Sequence, residues 1–131
     1  MTLSRDQILE SSDLKTATVE VAEWGGSVIV RTMTGADRDA FEQTLVVTDD
    51  KGNRKTDLTN MRAKLVAMTV VDEAGNRLFT ESDIVLLARK SASALSRVFD
   101  AAQSINGMAD SSEGEAVKNS EADLSGDSIS V

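Results

Sequence analysis

The sequence contains no cysteine, histidine, proline or tyrosine, and its aromatic residues are three phenylalanines and one tryptophan. Without Cys there is no disulfide framework. Without Cys or His there is no thiolate or imidazole metal ligand, and no Cys–His or Ser–His nucleophile system. A zinc site would have to be built from carboxylates alone. So few rings also leave little surface on which nucleic-acid bases could stack. Positive charge is scarce as well: 14 basic residues against 22 acidic ones give a net charge of −8, which repels phosphate backbones. Long apolar runs are missing too, since a stretch such as Ile84–Ala88 falls far short of the roughly 20 residues a bilayer-spanning helix requires. The opening Met1-Thr2-Leu3-Ser4-Arg5-Asp6 lacks the basic-then-apolar order of a signal peptide, and no lipidation motif is present. The expectation is a cytoplasmic protein with neither a nucleic-acid nor a membrane partner.

What is present suits a single small domain with an appendage. The 131 residues are 40% hydrophobic and 27% charged, ordinary values for one soluble domain. Composition changes at Asn106-Gly107. Beyond it Ser, Glu, Asp, Ala and Gly dominate, and no aromatic residue occurs. Six acids and one base give residues 108–131 a net charge of −5, which leaves −3 of the total −8 for residues 1–107. A segment of that composition buries too little apolar area to offset the entropy of ordering it, so 108–131 reads as a disordered acidic tail on a domain of residues 1–107.

Within the domain the turn and cap signals divide the chain. Ser4 with Gln7 is a capping-box pair and predicts a short helix over 5–11, with Ile8 and Leu9 on its apolar side. Thr18–Glu23 alternates, Trp24-Gly25-Gly26-Ser27 supplies a turn, and Val28-Ile29-Val30 is β-branched, so these segments predict a β-hairpin. Thr34 as cap and Asp37 in the first turn predict a helix over 35–46 with Phe41, Leu45 and Ala40 on its inward side. Thr48–Asp57 reads as a loop. Residues 57–69 read as a helix with Leu58, Met61, Leu65 and Met68 on one face. Val70-Val71 and Arg77-Leu78-Phe79 flank a turn and suggest a second, smaller hairpin. Thr80 and Asp83 cap a short helix over 81–88. The last helix, over 91–105, carries Leu95, Val98, Phe99, Ala102 and Ile105 in one stripe and ends at Asn106-Gly107. The expected fold class is α+β: a mostly α-helical small domain with one or two β-hairpins.

Few residue patterns point to catalysis. Ser12-Asp13-Leu14-Lys15 fits an S-x-x-K pattern, but the S-D-N and K-T-G elements of that enzyme class are absent. Asp49–Asn53 and Asp72–Asn76 invite a calcium reading. Each fails it, because an EF-hand loop requires an oxygen ligand at its third position and Gly at its sixth; Lys51 and Arg54 stand there in one, Ala74 and Arg77 in the other. Both read better as turns. The expectation is therefore no catalytic residue, no metal and no cofactor. Candidate partner-binding residues are Trp24, beside two glycines at a hairpin tip, where folding back over the sheet is the first reading and an exposed interface anchor the second, and Leu95, Val98, Phe99 and Ala102 on the last helix. For that stripe the first reading is internal core. An intermolecular face is the second, because so small a body offers few internal partners for a long amphipathic helix.

Leu3-Ser4-Arg5-Asp6-Gln7-Ile8-Leu9, Val19-Glu20-Val21, Glu23-Trp24-Gly25-Gly26 and Arg31 resemble, in order and spacing, the opening of the tail assembly chaperones of long-tailed (siphophage-type) bacteriophages. Gly35–Glu42 is similar to the helix that follows in that family. So are Asp72–Asn76, Leu78-Phe79, the helix start through Asp83, and Ile105-Asn106-Gly107. The resemblance spans residues 1–107. It implies a non-enzymatic protein of the host bacterial cytoplasm, absent from the mature virion. Such a protein binds the tape-measure protein transiently and assists polymerisation of the major tail protein. A small body with several amphipathic helices and little aromatic core is expected, in addition, to self-associate as a homo-oligomer. The alternatives are an acidic helical adaptor or scaffolding module with another client, and a small carboxylate-based enzyme.

Overall fold

In the computed structural model, which describes residues 1–108, the alternating segment and the β-branched run pair as the expected hairpin. The elements are α1 (Arg5–Glu10), β1 (Thr16–Val21), β2 (Gly26–Arg31), α2 (Gly35–Gln43) and β3 (Val46–Thr48). Then follow β4 (Arg54–Thr56), α3 (Met61–Thr69), β5 (Val70–Val71), α4 (Ile84–Leu87) and α5 (Ala92–Ile105). The domain is α+β. The tail expected over 108–131 lies, except for Met108, outside the described residues; Met108 packs against the core and donates its amide to Gln103 O at 2.8 Å.

β1 and β2 are antiparallel, in register from Thr16–Arg31 to Val21–Gly26. The bend between them is a 3₁₀ turn, Ala22–Trp24, closed by Gly25 at φ 79° with its amide on Ala22 O at 3.0 Å. That positive φ favours glycine, which has no Cβ to clash. Forming this turn ends β1 two residues earlier than alternation suggests. β5 adds to the far side of β2, giving the order β1-β2-β5.

Period-two alternation turns Ala17, Val19 and Val21 to one face with Val28 and Val30, and Thr16, Thr18 and Glu20 to the exposed face. α5 covers the apolar face. Its Ala94, Leu95, Val98, Phe99 and Ala102 are all buried, and Arg62 stands over the Phe99 ring at 5.9 Å. α3 packs beside it and is buried nearly all round, with Ala63, Leu65, Val66, Ala67 and Thr69 inside. Thr69 is fully buried but satisfied, its hydroxyl donating to Leu65 O at 2.8 Å. These residues, with Phe41 and Leu87, form one continuous core.

Several expectations need correction. α3 begins at Met61, not near 57. Asp57 accepts from the Thr59 amide at 3.0 Å in a turn that leads to Asn60 at φ 56°, leaving Leu58 exposed. The segment read as a loop over 48–57 contributes most of a β3–β4 hairpin, closed by Asp49, whose Oδ1 accepts from the Lys51 and Asn53 amides at 2.9 and 2.8 Å. The second expected hairpin is reduced to one bridge, Val71–Arg77, on the edge of β5 opposite β2, with the Leu78 amide donating to Val70 O at 3.2 Å. Its turn repeats the first: Asp72 Oδ1 accepts from the Ala74 and Asn76 amides, both at 2.9 Å.

Candidate functional site

Trp24 folds back and packs half-buried against the core. Leu95, Val98, Phe99 and Ala102 are 5%, 0%, 8% and 0% exposed: in this conformation the stripe faces β1, β2 and α3, in keeping with the first reading of it as core. It is held there at both ends. Near the hairpin tip the Arg97 guanidinium forks onto Glu23 at 2.7 and 2.9 Å, and the Ser93 hydroxyl donates to the same carboxylate at 3.0 Å. The Glu23 carboxyl is held below its ordinary value of 4.5 by backbone hydrogen bonding, then by the Ser93 hydroxyl and the Arg97 charge. At the other end Asn106 accepts from the Met33 amide at 2.7 Å and donates to Ala102 O at 2.8 Å and Arg31 O at 3.4 Å.

The unoccupied apolar surface lies elsewhere. α2 and α3 meet so that Phe41 and Ala67, both nearly inaccessible, lie at the bottom of a groove. Met68, Phe79 and Ile84 add half-buried walls, and exposed Ala40 stands at the lip. Thr80 and Asp83 fix the third wall through a capping box that starts the turn leading into α4. The groove is open and encloses about 690 Å³, within the range of pockets that take an apolar ligand of moderate size. Its rim carries both signs of charge: Asp37 and Glu81 against Lys64 and Arg77. Lys64 donates to Thr44 O at 3.1 Å and Arg77 contacts Met68 Sδ at 3.3 Å, so the basic side chains lie along the walls and leave the floor apolar. Leu78, Leu86 and Phe79 continue the apolar surface into a shallower hollow of about 270 Å³.

A second apolar surface belongs to α1. Leu3, Ile8 and Leu9 are 62%, 55% and 66% exposed, and no residue of α1 is buried. Among the described residues no group of three or more Asp or Glu is placed to hold a metal ion, and no helix is long and apolar enough to cross a membrane. Sequence reasoning missed the groove, because its floor and walls come from three separated segments. The spacing of Leu3 and Ile8 around a capping box was a usable signal for α1, since these are the positions of a hydrophobic staple.

The sequence model of a family described as phage tail assembly chaperone matches residues 5–119. Among solved structures, the tail assembly chaperone of bacteriophage HK97 is similar, with a TM-score of 0.54 and 18% identity over 80% of this chain and 95% of that chain. At that identity the likeness concerns the fold. No curated protein matches the sequence.

Proposed function

The chain belongs to the phage tail assembly chaperone family, and from that premise we propose that it holds the tape-measure protein by transient, non-catalytic binding and assists polymerisation of the major tail protein around it. A protein of this family acts in the host cell and has tail proteins as partners. On this reading it works as a homo-oligomer in the host cytoplasm and is left out of the mature virion.

The observation that carries the reading is the groove between α2 and α3. An apolar floor of Phe41 and Ala67, walls of Met68, Phe79 and Ile84, and a rim of mixed charge suit one apolar face of an amphipathic helix. A tape-measure protein, a long helix with apolar seams exposed before assembly, presents such faces repeatedly. The net charge of −8 keeps the loaded complex dispersed. Transient holding requires no nucleophile, metal or cofactor. Trp24 is a further contact candidate, since it stays half-exposed at the hairpin tip. Leu95, Val98, Phe99 and Ala102 support binding indirectly, by keeping α3 in place as the groove wall.

Co-expression with the tape-measure protein of the same phage tests this. The expected result is a soluble complex recovered on the tagged chain, and its loss with Ala40→Arg, which puts a long charged side chain at the groove lip without removing core. Undiminished capture by a folded Ala40→Arg protein would move the client off the groove.

A further inference from the structure

We propose that Arg31 is a positioning residue for the α2–α3 groove: its guanidinium is the strut that spaces the α2 wall from the wall over residues 77–84, and so sets which side chains a client helix can insert. The proposal rests on the reading that the groove is a docking place and adds what gauges it. Arg31 is the last residue of β2, and its side chain is 21% exposed. On one side Nη1 donates to Gly75 O at 3.0 Å, across 44 residues of sequence. On the other, Nη2 stands 3.7 Å from Asp37 Oδ2. Asp37 lies in the first turn of α2 and lines the groove. Gly75 lies in the turn that leads into Arg77 and Phe79, which line it from another segment. Two walls distant in sequence thus meet on one side chain.

Other bonds hold each wall separately. α2 is tied to α3 near its C-terminal end, where Phe41 is buried and Lys64 donates to Thr44 O at 3.1 Å. At its start Thr34 caps the helix, and the preceding Met33 amide is held by Asn106. The facing segment is anchored to β5 by the Val71–Arg77 bridge and by the Leu78 amide on Val70 O. Among the hydrogen bonds and ion pairs of the described residues, only those of Arg31 join α2 to residues 72–84. The ion pair is not closed as tightly as its chemistry allows. A carboxylate seated on the Nε–Nη2 edge would receive two short charge-assisted bonds. Here Nε is buried without a partner among the described residues, and 3.7 Å is too long for a hydrogen bond. Asp72, in the facing turn, has its Oδ1 engaged by the Ala74 and Asn76 amides. An open buried donor is costly, so the guanidinium lies where the spacing of the two segments puts it. Arginine suits a strut because its plane is rigid and bonds in two directions at once, whereas a lysine ammonium is a point charge on a flexible stem.

The absence of native cysteine makes a direct test possible. Spin labels at Ala40→Cys and Glu81→Cys, one on each wall, read the width of the groove by pulsed dipolar spectroscopy. Arg31→Lys is expected to shift or broaden that distance, while labels at Ser27→Cys and Asp100→Cys, on the sheet and α5, keep theirs. Asp37→Asn, which leaves Arg31 in place, is expected to act in the same sense and serves if Arg31→Lys does not fold. Client selectivity is the second readout. A tape-measure fragment is compared with versions whose apolar seam residues are shortened to alanine or enlarged to phenylalanine. In Arg31→Lys the ratio of their affinities is expected to fall several-fold toward one. A purely structural loss would weaken every fragment alike, and a role of charge alone would be restored by lysine. An Ala40–Glu81 distance unchanged in the folded variants overturns the proposal, and so does an unchanged selectivity ratio. A parent protein that captures no fragment sinks the client reading, and the label distances then decide the role of Arg31 by themselves.

Discussion

α1 and α5 both begin at a serine whose hydroxyl accepts an amide three residues on, and both carry aliphatic residues on one side, yet α5 buries five residues and α1 none. The difference is in what surrounds them. α5 has the sheet face beneath it, α3 beside it, the Glu23 latch near its start and the Asn106 clamp at its end. α1 has only its own caps. Burial of side chains such as Val98 and Phe99 stabilises the fold by about 1.5–3 kcal/mol each, whereas Ile8 and Leu9 contribute little to it. Amphipathicity therefore has two uses in one chain. The stripe that finds partners inside the domain is structure; the stripe that finds none is available for association.

The contrast is sharpest when each helix is damaged in turn. Phe99→Ala should cost about 3–5 kcal/mol in chemical denaturation, since it opens a cavity in the packed core and removes the ring under Arg62. Asn106→Ala should cost about 1–3 kcal/mol, because the Met33 amide and the Arg31 carbonyl lose their partner at the helix end. Amide exchange should show the added opening around Met33 and the last turn of α5.

The Glu23 latch gives a smaller, pH-dependent effect. Its carboxyl titrates below the ordinary 4.5, so the fold favours the ionised form. The stabilisation is complete above about that value and is lost as pH falls through the lowered folded value. Melting curves from neutral pH to pH 3 should show Glu23→Gln less stable than the parent by a constant amount near neutrality, with the gap closing in acid. A gap independent of pH throughout would show that the latch contributes nothing through its charge. The smallest effect belongs to α1: Leu9→Ser should leave the denaturation midpoint within about 0.5 kcal/mol of the parent. A loss comparable to that of Phe99→Ala would erase the distinction between the two helices.

The fold was legible wherever local chemistry decides. Thr34 and the Ser4–Gln7 pair cap the helices they were expected to cap, and Val19 and Val21 alternate as a half-buried strand should. Local signals failed where pairing is remote or a strand lacks an apolar face. Arg54-Lys55-Thr56 is exposed on every residue, so nothing marks it as β. β5 joins β2 across some forty residues, and the short Val70-Val71 pair cannot announce that choice. The helix placed over 57–69 starts late because Asn60 adopts a left-handed conformation that the apolar spacing does not show. For the site, periodicity identified the α5 stripe but could not say whether it faced inward. The groove was beyond reach, since Phe41, Ala67, Phe79 and Ile84 meet only after three segments have folded.

The central claim is that apolar surface left outside the core does the binding. Amide hydrogen exchange with and without a tape-measure fragment tests it most directly. The account predicts protection gained in α2 and over residues 78–84, with the interior of α5 unchanged. Protection confined to the β3–β4 hairpin, or to α5 with the groove segments unaltered, would contradict it.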